Sequence, residues 1–174
     1  VSNGNVDAMP EYAAADPNNL LLGHPDGTFV EGAFDGGIVH YNRTRGAALV
    51  DLNLDGLLDL IEVNRVANVY LLRNVGSGDA SGAIPMGNWV AVQLEQAGVS
   101  PDAIGSWVSV AVGGKVLRKQ VMPTKSYLSQ VELPVTFGLG DADEVEDVIV
   151  HWPNGIRQKL GPLAVDQTHV IERH

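Results

Sequence analysis

The sequence contains no cysteine among its 174 residues, and this absence removes several kinds of chemistry at once. Without a thiol the chain can form no disulfide, bind no metal through thiolate and use no cysteine nucleophile. The lack of disulfides by itself leaves the cellular compartment open.

Long apolar runs and positive charge are also scarce. Hydrophobic residues make up 45% of the chain, the balance of a folded domain, yet no apolar run is long enough to span a bilayer. Lys and Arg number 11 against 21 Asp and Glu, a formal net charge of −10. Because nucleic-acid backbones and anionic lipid surfaces are negative, we expect no nucleic acid and no membrane insertion. Residues 1–5 lack the basic and apolar regions of a signal peptide, so we expect that any such peptide either lies upstream or never existed.

Catalytic motifs are missing as well. The five histidines are scattered without metal-ligand spacing, and neither H-E-x-x-H nor a nucleophile elbow occurs. His151 stands beside Trp152, but a histidine at a strand end before a Pro-Asn-Gly turn is more often structural. We therefore predict no zinc site, no cofactor-binding residue, no catalytic residue and no enzyme activity.

Short apolar stretches between turn formers predict an all-β protein without a long amphipathic helix. Residues 1–40 favour short strands joined by tight loops. After residue 88 the apolar residues alternate, which is typical of the half-buried strands of an antiparallel β-sandwich. About seven strands are expected there, at 89–94, 107–112, 115–121, 127–137, 145–152, 156–160 and 168–172.

Turn chemistry adds detail to this pattern. Gly113-Gly114 supplies the two positive φ angles of a type I′ hairpin turn. Pro153-Asn154-Gly155 predicts another turn, and the glycines of 75–88 predict a linker. We expect one domain at 1–86 and a second at 87–174.

The strongest motif is the segment 51–59, which reads DLNLDGLLD and places oxygen-bearing side chains at alternate positions around a glycine. Calcium prefers six to eight oxygen ligands, and a tight acidic loop supplies them. The sequence therefore predicts a calcium site, with the intervening Leu52, Leu54 and Leu58 pointing into the core. The predicted ligands are the side chains of Asp51, Asn53, Asp55 and Asp59 and the carbonyl of Leu57.

Two other interpretations of this loop stay open. Gly56 and Glu62 fall at the sixth and twelfth positions of the EF-hand pattern, but an EF-hand needs helices on both sides, and the flanking residues favour strands. An acidic β-turn without metal is the other, although its clustered carboxylates would repel one another. A second acidic run, Asp141 to Asp147, is more typical of a solvated loop than of a cation site.

The loop and its flanks resemble the repeats of FG-GAP or VCBS β-propellers. Besides the loop, the resemblance rests on Asn18-Asn19-Leu20-Leu21-Leu22, on Asp26-Gly27-Thr28-Phe29 and on Arg45-Gly46-Ala47-Ala48-Leu49-Val50. It implies a blade-like repeat whose loop binds calcium.

Beyond residue 88 the chain is similar to the ASPIC/UnbV module found at the C-terminal end of cartilage acidic protein and its bacterial relatives. The matching segments are Asp102-Ala103-Ile104-Gly105, Ser126-Tyr127-Leu128-Ser129-Gln130, Phe137-Gly138-Leu139-Gly140 and 148–155. The family usually has Ala-Arg where Ser106-Trp107 stands here, so a basic ligand contact at position 107 is not carried over. The resemblance implies a secreted, periplasmic or cell-surface protein of bacterial type and no known reaction.

The full expectation is a propeller-type repeat with a calcium loop, packed on an antiparallel β-sandwich or covered by a second copy in a homodimer. Its function would be non-enzymatic adhesion or the binding of an unidentified protein or glycan ligand. The alternatives are an accessory unit of a polysaccharide-active hydrolase or lyase and a structural cap of a propeller. The tryptophans Trp89, Trp107 and Trp152 are more often core residues than sugar-stacking platforms.

Overall fold

The computed structural model describes Asn3 and residues 16–24, 26–78, 81–82, 84 and 86–173. These residues form strands, turns and loops without a helix, which confirms the all-β prediction, and none of them belongs to a helix that could cross a membrane. The predicted strands of 1–40 are described from Asp16 onward, and earlier residues except Asn3 lie outside the described part. The strands are β1 (Asp16–Pro17), β2 (Leu21–Gly23), β3 (Phe29–Glu31), β4 (Tyr41–Asn42), β5 (Thr44–Val50), β6 (Asp59–Asn64), β7 (Tyr70–Leu72), β8 (Asn88–Glu95), β9 (Trp107–Val112), β10 (Lys115–Gln120), β11 (Thr124–Ser126), β12 (Ser129–Gln130), β13 (Val135–Gly140), β14 (Glu144–His151), β15 (Arg157–Ala164) and β16 (Gln167–Glu172).

The chain divides into two compact units that are not simple halves. The first unit contains Val1–Val50, Leu58–Asn74 and Thr124–Gln130. The second unit contains the remainder, including the loop Asp51–Leu57.

The second unit is a β-sandwich. One sheet has the order β10-β9-β14-β15 and is antiparallel throughout, while the other has the order β13-β8-β16. β16 pairs with β8 in parallel, so the predicted antiparallel sandwich is in fact mixed. Alternate residues of both sheets meet in one apolar core, whose most buried members are Val90, Val92, Val108, Val110, Phe137, Val145, Val148 and Val150.

Both turns predicted in this unit are present. Gly113 and Gly114 have φ angles of 54° and 71°, and they join β9 to β10 with Val112 opposite Lys115. Gly155 has a φ of 87°, and its backbone amide donates to the carbonyl of Trp152 at 3.0 Å.

The prediction of one continuous strand over residues 127–137 is wrong. Its residues divide between β12 and β13, because Leu128 adopts a φ of 47° and ends the extended conformation just after β11. Pro134 then precedes β13 and offers no backbone donor.

The predicted linker 75–88 is also more ordered than expected. Gly76 pairs with Ile84 in a parallel bridge, and the backbone amides of Gly78 and Ile84 both donate to the carbonyl of Val75. In its described residues this segment is therefore hydrogen-bonded to itself before β8 begins.

The first unit has small sheets and a polar interior. Its described residues form the sheet β5-β6-β7 and the pairs β1-β4, β2-β3 and β11-β12, and they do not identify a propeller. Asn18 Nδ2 donates to Thr44 Oγ1 at 3.1 Å, and this hydroxyl donates to Asn64 Oδ1 at 2.8 Å. All three side chains are buried. Hydrogen bonds therefore help to stabilise this interior, whereas a larger core would be stabilised mainly by apolar packing.

Candidate functional site

The candidate calcium loop connects two paired strands. β5 ends at Val50 and β6 begins at Asp59, and these residues lie opposite each other in an antiparallel ladder. Strands therefore flank the loop on both sides, where an EF-hand would have helices. The EF-hand interpretation is therefore wrong, and the strands that the flanking residues favoured are present.

Asp51 is the centre of the loop. Its Oδ1 accepts a hydrogen bond from the backbone amide of Asp55 at 3.1 Å, and its Oδ2 accepts one from that of Gly56 at 2.8 Å. The chain thus turns around this carboxylate. Each oxygen keeps acceptor capacity beyond these single hydrogen bonds.

Asp55 and Asn53 form a second layer of contacts in the loop. The backbone amide of Leu57 donates to Asp55 Oδ1 at 3.0 Å, and Asn53 Nδ2 donates to Asp55 Oδ2 at 2.8 Å. The loop therefore brings together the side chains of Asp51, Asn53 and Asp55 through its own backbone and side-chain bonds.

The prediction that the intervening leucines point into the core is wrong for two of them. Leu52 is 51% exposed and Leu54 is 81% exposed. Leu54 has a φ of 61°, a left-handed conformation that interrupts the alternation on which the prediction depended.

Gly56 holds the loop against the sandwich instead. Its φ is 84°, and a Cβ added there would overlap Nε1, Cε2 and Cδ1 of the Trp89 indole. Trp89 is fixed in β8 opposite Gly138, and its backbone amide donates to Asp166 Oδ1 at 3.1 Å. The glycine thus allows the loop backbone to lie directly on a positioned indole ring.

Asp59 and Glu62 have different surroundings. Asp59 is buried in the first unit, where its Oδ1 accepts a hydrogen bond from the backbone amide of Asn74 at 2.8 Å. Glu62 is fully buried, and its Oε2 lies 3.1 Å from Nδ1 of His40, whose ring packs 4.5 Å from that of Tyr70. Glu62 therefore has a structural partner of its own in the first unit.

The donor chemistry of the loop fits a hard cation. Among the described residues, no group of three or more His, Asp or Glu side chains could hold a metal ion. The predicted ligand set differs from such a group, because it also uses the amide oxygen of Asn53 and the main-chain carbonyl of Leu57. Carboxylate, amide and carbonyl oxygens are the ligands that calcium selects.

The second unit contains most of a domain of known family. Residues 96–174 match the family model described as ASPIC and UnbV. The match begins directly after β8 and includes β9 to β16, and the candidate calcium loop lies outside it. The resemblance to this module is confirmed for these residues, whereas the FG-GAP or VCBS repeat stays a prediction. The chain has no match among curated proteins.

The tryptophans occupy three different environments around the ASPIC/UnbV domain. Trp152 is 3% exposed, and its Nε1 donates to Gln158 Oε1 at 3.0 Å, so the core interpretation is right for this residue. Trp89 supports the loop. Trp107 is 37% exposed on β9, and the Arg118 guanidinium carbon lies 4.5 Å from its ring centroid. No local sequence pattern predicted this pair, because only the register of the β9-β10 hairpin brings the two side chains together.

The acidic run of the ASPIC/UnbV domain belongs mostly to a strand. Glu144 begins β14, and Asp147 Oδ2 forms an ion pair with Lys159 Nζ at 3.2 Å. Asp147 Oδ1 also accepts a hydrogen bond from the backbone amide of Gly161 at 3.1 Å. The run is therefore not simply the solvated loop that the sequence favoured.

Proposed function

We propose that this chain is a non-enzymatic, calcium-binding adhesion or ligand-binding module of a secreted, periplasmic or cell-surface protein. The observation that carries the proposal is the loop folded around the Asp51 carboxylate, next to an ASPIC/UnbV domain. The ligand is a protein or a glycan.

The calcium ligands in this proposal are those of the motif. Asp51, Asn53 and Asp55 supply side-chain oxygens and Leu57 a main-chain carbonyl, with Asp59 as the carboxylate that follows the loop. Bound calcium would neutralise carboxylates that otherwise repel one another. Asp51 orders the backbone amides of Asp55 and Gly56, and Gly56 places the loop on Trp89. Calcium would accordingly stabilise the loop at the surface of the sandwich.

One observation favours keeping the hydrolase or lyase alternative as a second candidate. An open cavity of about 440 Å³ is lined by three carboxylates, Glu95, Asp102 and Glu172, together with Arg173. Glu95 and Glu172 lie opposite each other at the ends of β8 and β16. Paired carboxylates at a cleft are the arrangement that glycoside hydrolysis requires.

A glycan and peptide array, measured with calcium and with chelator, tests the proposal. We expect calcium-dependent retention of at least one ligand class and no release of reducing ends or unsaturated sugars from any retained glycan. Glu95→Gln and Glu172→Gln should leave retention unchanged. Turnover that disappears in these variants would establish the enzymatic alternative.

A further inference from the structure

The sheet β10-β9-β14-β15 has one face toward the sandwich core and one face away from it. Residues directly opposite each other in a sheet project to the same side, and Val108, Val110, Val148 and Val150 occupy the core side. The residues that alternate with these valines along the strands point away from the core, and we call the surface that they form the outer face. Its polar and aromatic members are Trp107, Ser109, Arg118, Gln120, Asp147, His151, Arg157 and Lys159.

Trp107 lies in the middle of one row of the outer face. Gln120 flanks it on β10 and His151 on β14, and Arg157 of β15 lies opposite His151. Since neighbouring strands are separated by about 4.8 Å, Arg157 is about 10 Å across the sheet from Trp107. This span is comparable to a disaccharide.

The guanidinium of Arg118 is held beside the indole. Arg118 lies opposite Ser109, diagonal to Trp107, and its Cζ is 4.5 Å from the ring centroid. Within the described part of the chain, neither Arg118 nor Arg157 has an acidic ion-pair partner. The indole therefore positions a guanidinium fork that can donate two parallel hydrogen bonds to a carboxylate.

The outer face has a charge opposite to that of the whole chain. Three of the 11 Lys and Arg side chains lie on it, in a chain of net charge −10. Lys159 is paired with Asp147, and Glu146 lies at the far end, 3.4 Å from the backbone amide of Gly114. The cationic charge is therefore concentrated around Trp107, where it would attract an anionic ligand.

We propose that the outer face binds a polysaccharide that bears carboxylates, that is, a uronic acid polymer. A sugar ring combines an apolar face, which stacks on the exposed part of the Trp107 indole, with hydroxyls at its rim that suit Gln120 and His151. The ring carboxylate is received by Arg118, and that of a following sugar by Arg157. The inference rests on the proposed ligand-binding function and names its ligand class.

An acidic peptide fits this surface less well. Extended peptides add to the open edges of sheets through main-chain hydrogen bonds, whereas Trp107 belongs to a strand paired on both sides, with β10 and with β14. Recognition at the centre of a sheet relies on side chains alone, which suits a flat ring above an aromatic residue.

Titration of the intact chain with polygalacturonate, followed by calorimetry, tests the assignment. Trp107→Ala should lower the affinity at least about tenfold, and Arg118→Gln by about fivefold to tenfold, the loss expected for a stacking contact or a charge-assisted pair. Trp107→Phe, which keeps a ring, should retain most of the affinity. Methyl-esterified polygalacturonate, which lacks the carboxylates, should bind at least about tenfold more weakly.

Lys115→Gln is the matched control for lost charge. Lys115 lies opposite the core-facing Val112 of β9, so its side chain does not belong to the outer face. It should leave the affinity unchanged within about twofold. Three results would each overturn the assignment of the outer face but not the proposed function. These are equal binding of poly-L-glutamate, no binding of polygalacturonate, and full affinity in both Trp107→Ala and Arg118→Gln. Release of reducing ends with binding still dependent on Trp107 would overturn the non-enzymatic function and leave the assignment of the face in place.

Discussion

At the residue scale, Gly56 has two requirements that no other residue type meets. Its φ of 84° lies in the left-handed region, and the Trp89 indole occupies the space where a Cβ would stand. The motif pattern predicted the first requirement, since a turn in an acidic loop favours glycine. The second depends on a residue more than thirty positions away, which local sequence cannot reveal.

Gly56→Ala should therefore destabilise the protein more than another glycine with the same backbone angle. We expect a loss of about 1–3 kcal/mol from the strained φ and about 1–3 kcal/mol more from overpacking against Trp89. Gly155→Ala is the control, because Gly155 has a φ of 87° and no heavy atom within 4 Å of an added Cβ. Urea unfolding measures both variants, and equal losses would show that the contact with Trp89 is unimportant.

The leucines of the loop show where residue patterns mislead. Alternation of polar and apolar residues from Asp51 to Asp55 predicted buried leucines, as it would on a strand. Hydrogen bonds from backbone amides to Asp51 bend the chain instead, and Leu52 and Leu54 become exposed. The spacing of Asp51, Asn53 and Asp55 around Gly56 predicted that their side chains would come together in the loop, whereas the direction of the apolar neighbours depends on the turn.

At the element scale, strands and tight turns followed from local sequence and pairing did not. Gly113-Gly114 determined a hairpin on its own, because two positive φ angles fix its turn. The parallel pairing of β16 with β8 joins residues more than seventy positions apart, such as Val90 and Gln167. No local pattern encodes such a partner, and Leu128 interrupted a strand that β-propensity favoured.

The β2-β3 hairpin of the first unit should loosen in acid. The backbone amide of Ala33, the side-chain amide of Asn19 and the backbone amide of Leu20 donate to Glu31 and hold the pKa of its carboxyl below the ordinary 4.5. A lowered folded-state pKa gives stability that is present above the unfolded value and lost as the pH falls through the folded one. Hydrogen exchange, corrected for intrinsic rates, should therefore accelerate in β2 and β3 as the pH falls below about 4.5.

Glu31→Gln provides the control for this acid sensitivity. The variant should exchange faster than the native chain at pH 6, and its β2 and β3 amides should loosen less than those of the native chain between pH 5 and pH 3. The loosening that is left comes from Asp26 in the connecting turn, because hydrogen bonds from the side-chain hydroxyl and the backbone amide of Thr28 lower the pKa of its carboxyl. The β9-β10 hairpin, whose turn is Gly113-Gly114, serves as an internal reference. Equal protection of β2 and β3 in native and variant chains at pH 6 would contradict the role given to Glu31.

At the scale of the whole molecule, the two units are stabilised by different means. The second unit has one apolar core drawn from both sheets, while the first buries Asn18, Thr44, Glu62 and other polar side chains. Composition predicted a folded acidic chain, and the alternating pattern predicted the sandwich. The hydrogen-bonded interior of the first unit was not predictable, because partners such as Asn18 and Thr44 are far apart in sequence.

The central claim, that the loop binds calcium and that this binding stabilises the folded chain, is tested most directly by calorimetric melting in chelator and in calcium. A ligand that binds only the folded state stabilises it by about 2.7 kcal/mol at a hundredfold excess over its dissociation constant. We therefore expect calcium to raise the melting temperature and magnesium, which prefers a smaller and stricter octahedron, to do so poorly. Asp51→Asn and Asp55→Ala should abolish the calcium shift, whereas Asp102→Asn, outside the loop, should retain it. Superimposable melting curves in chelator and in millimolar calcium would contradict the account.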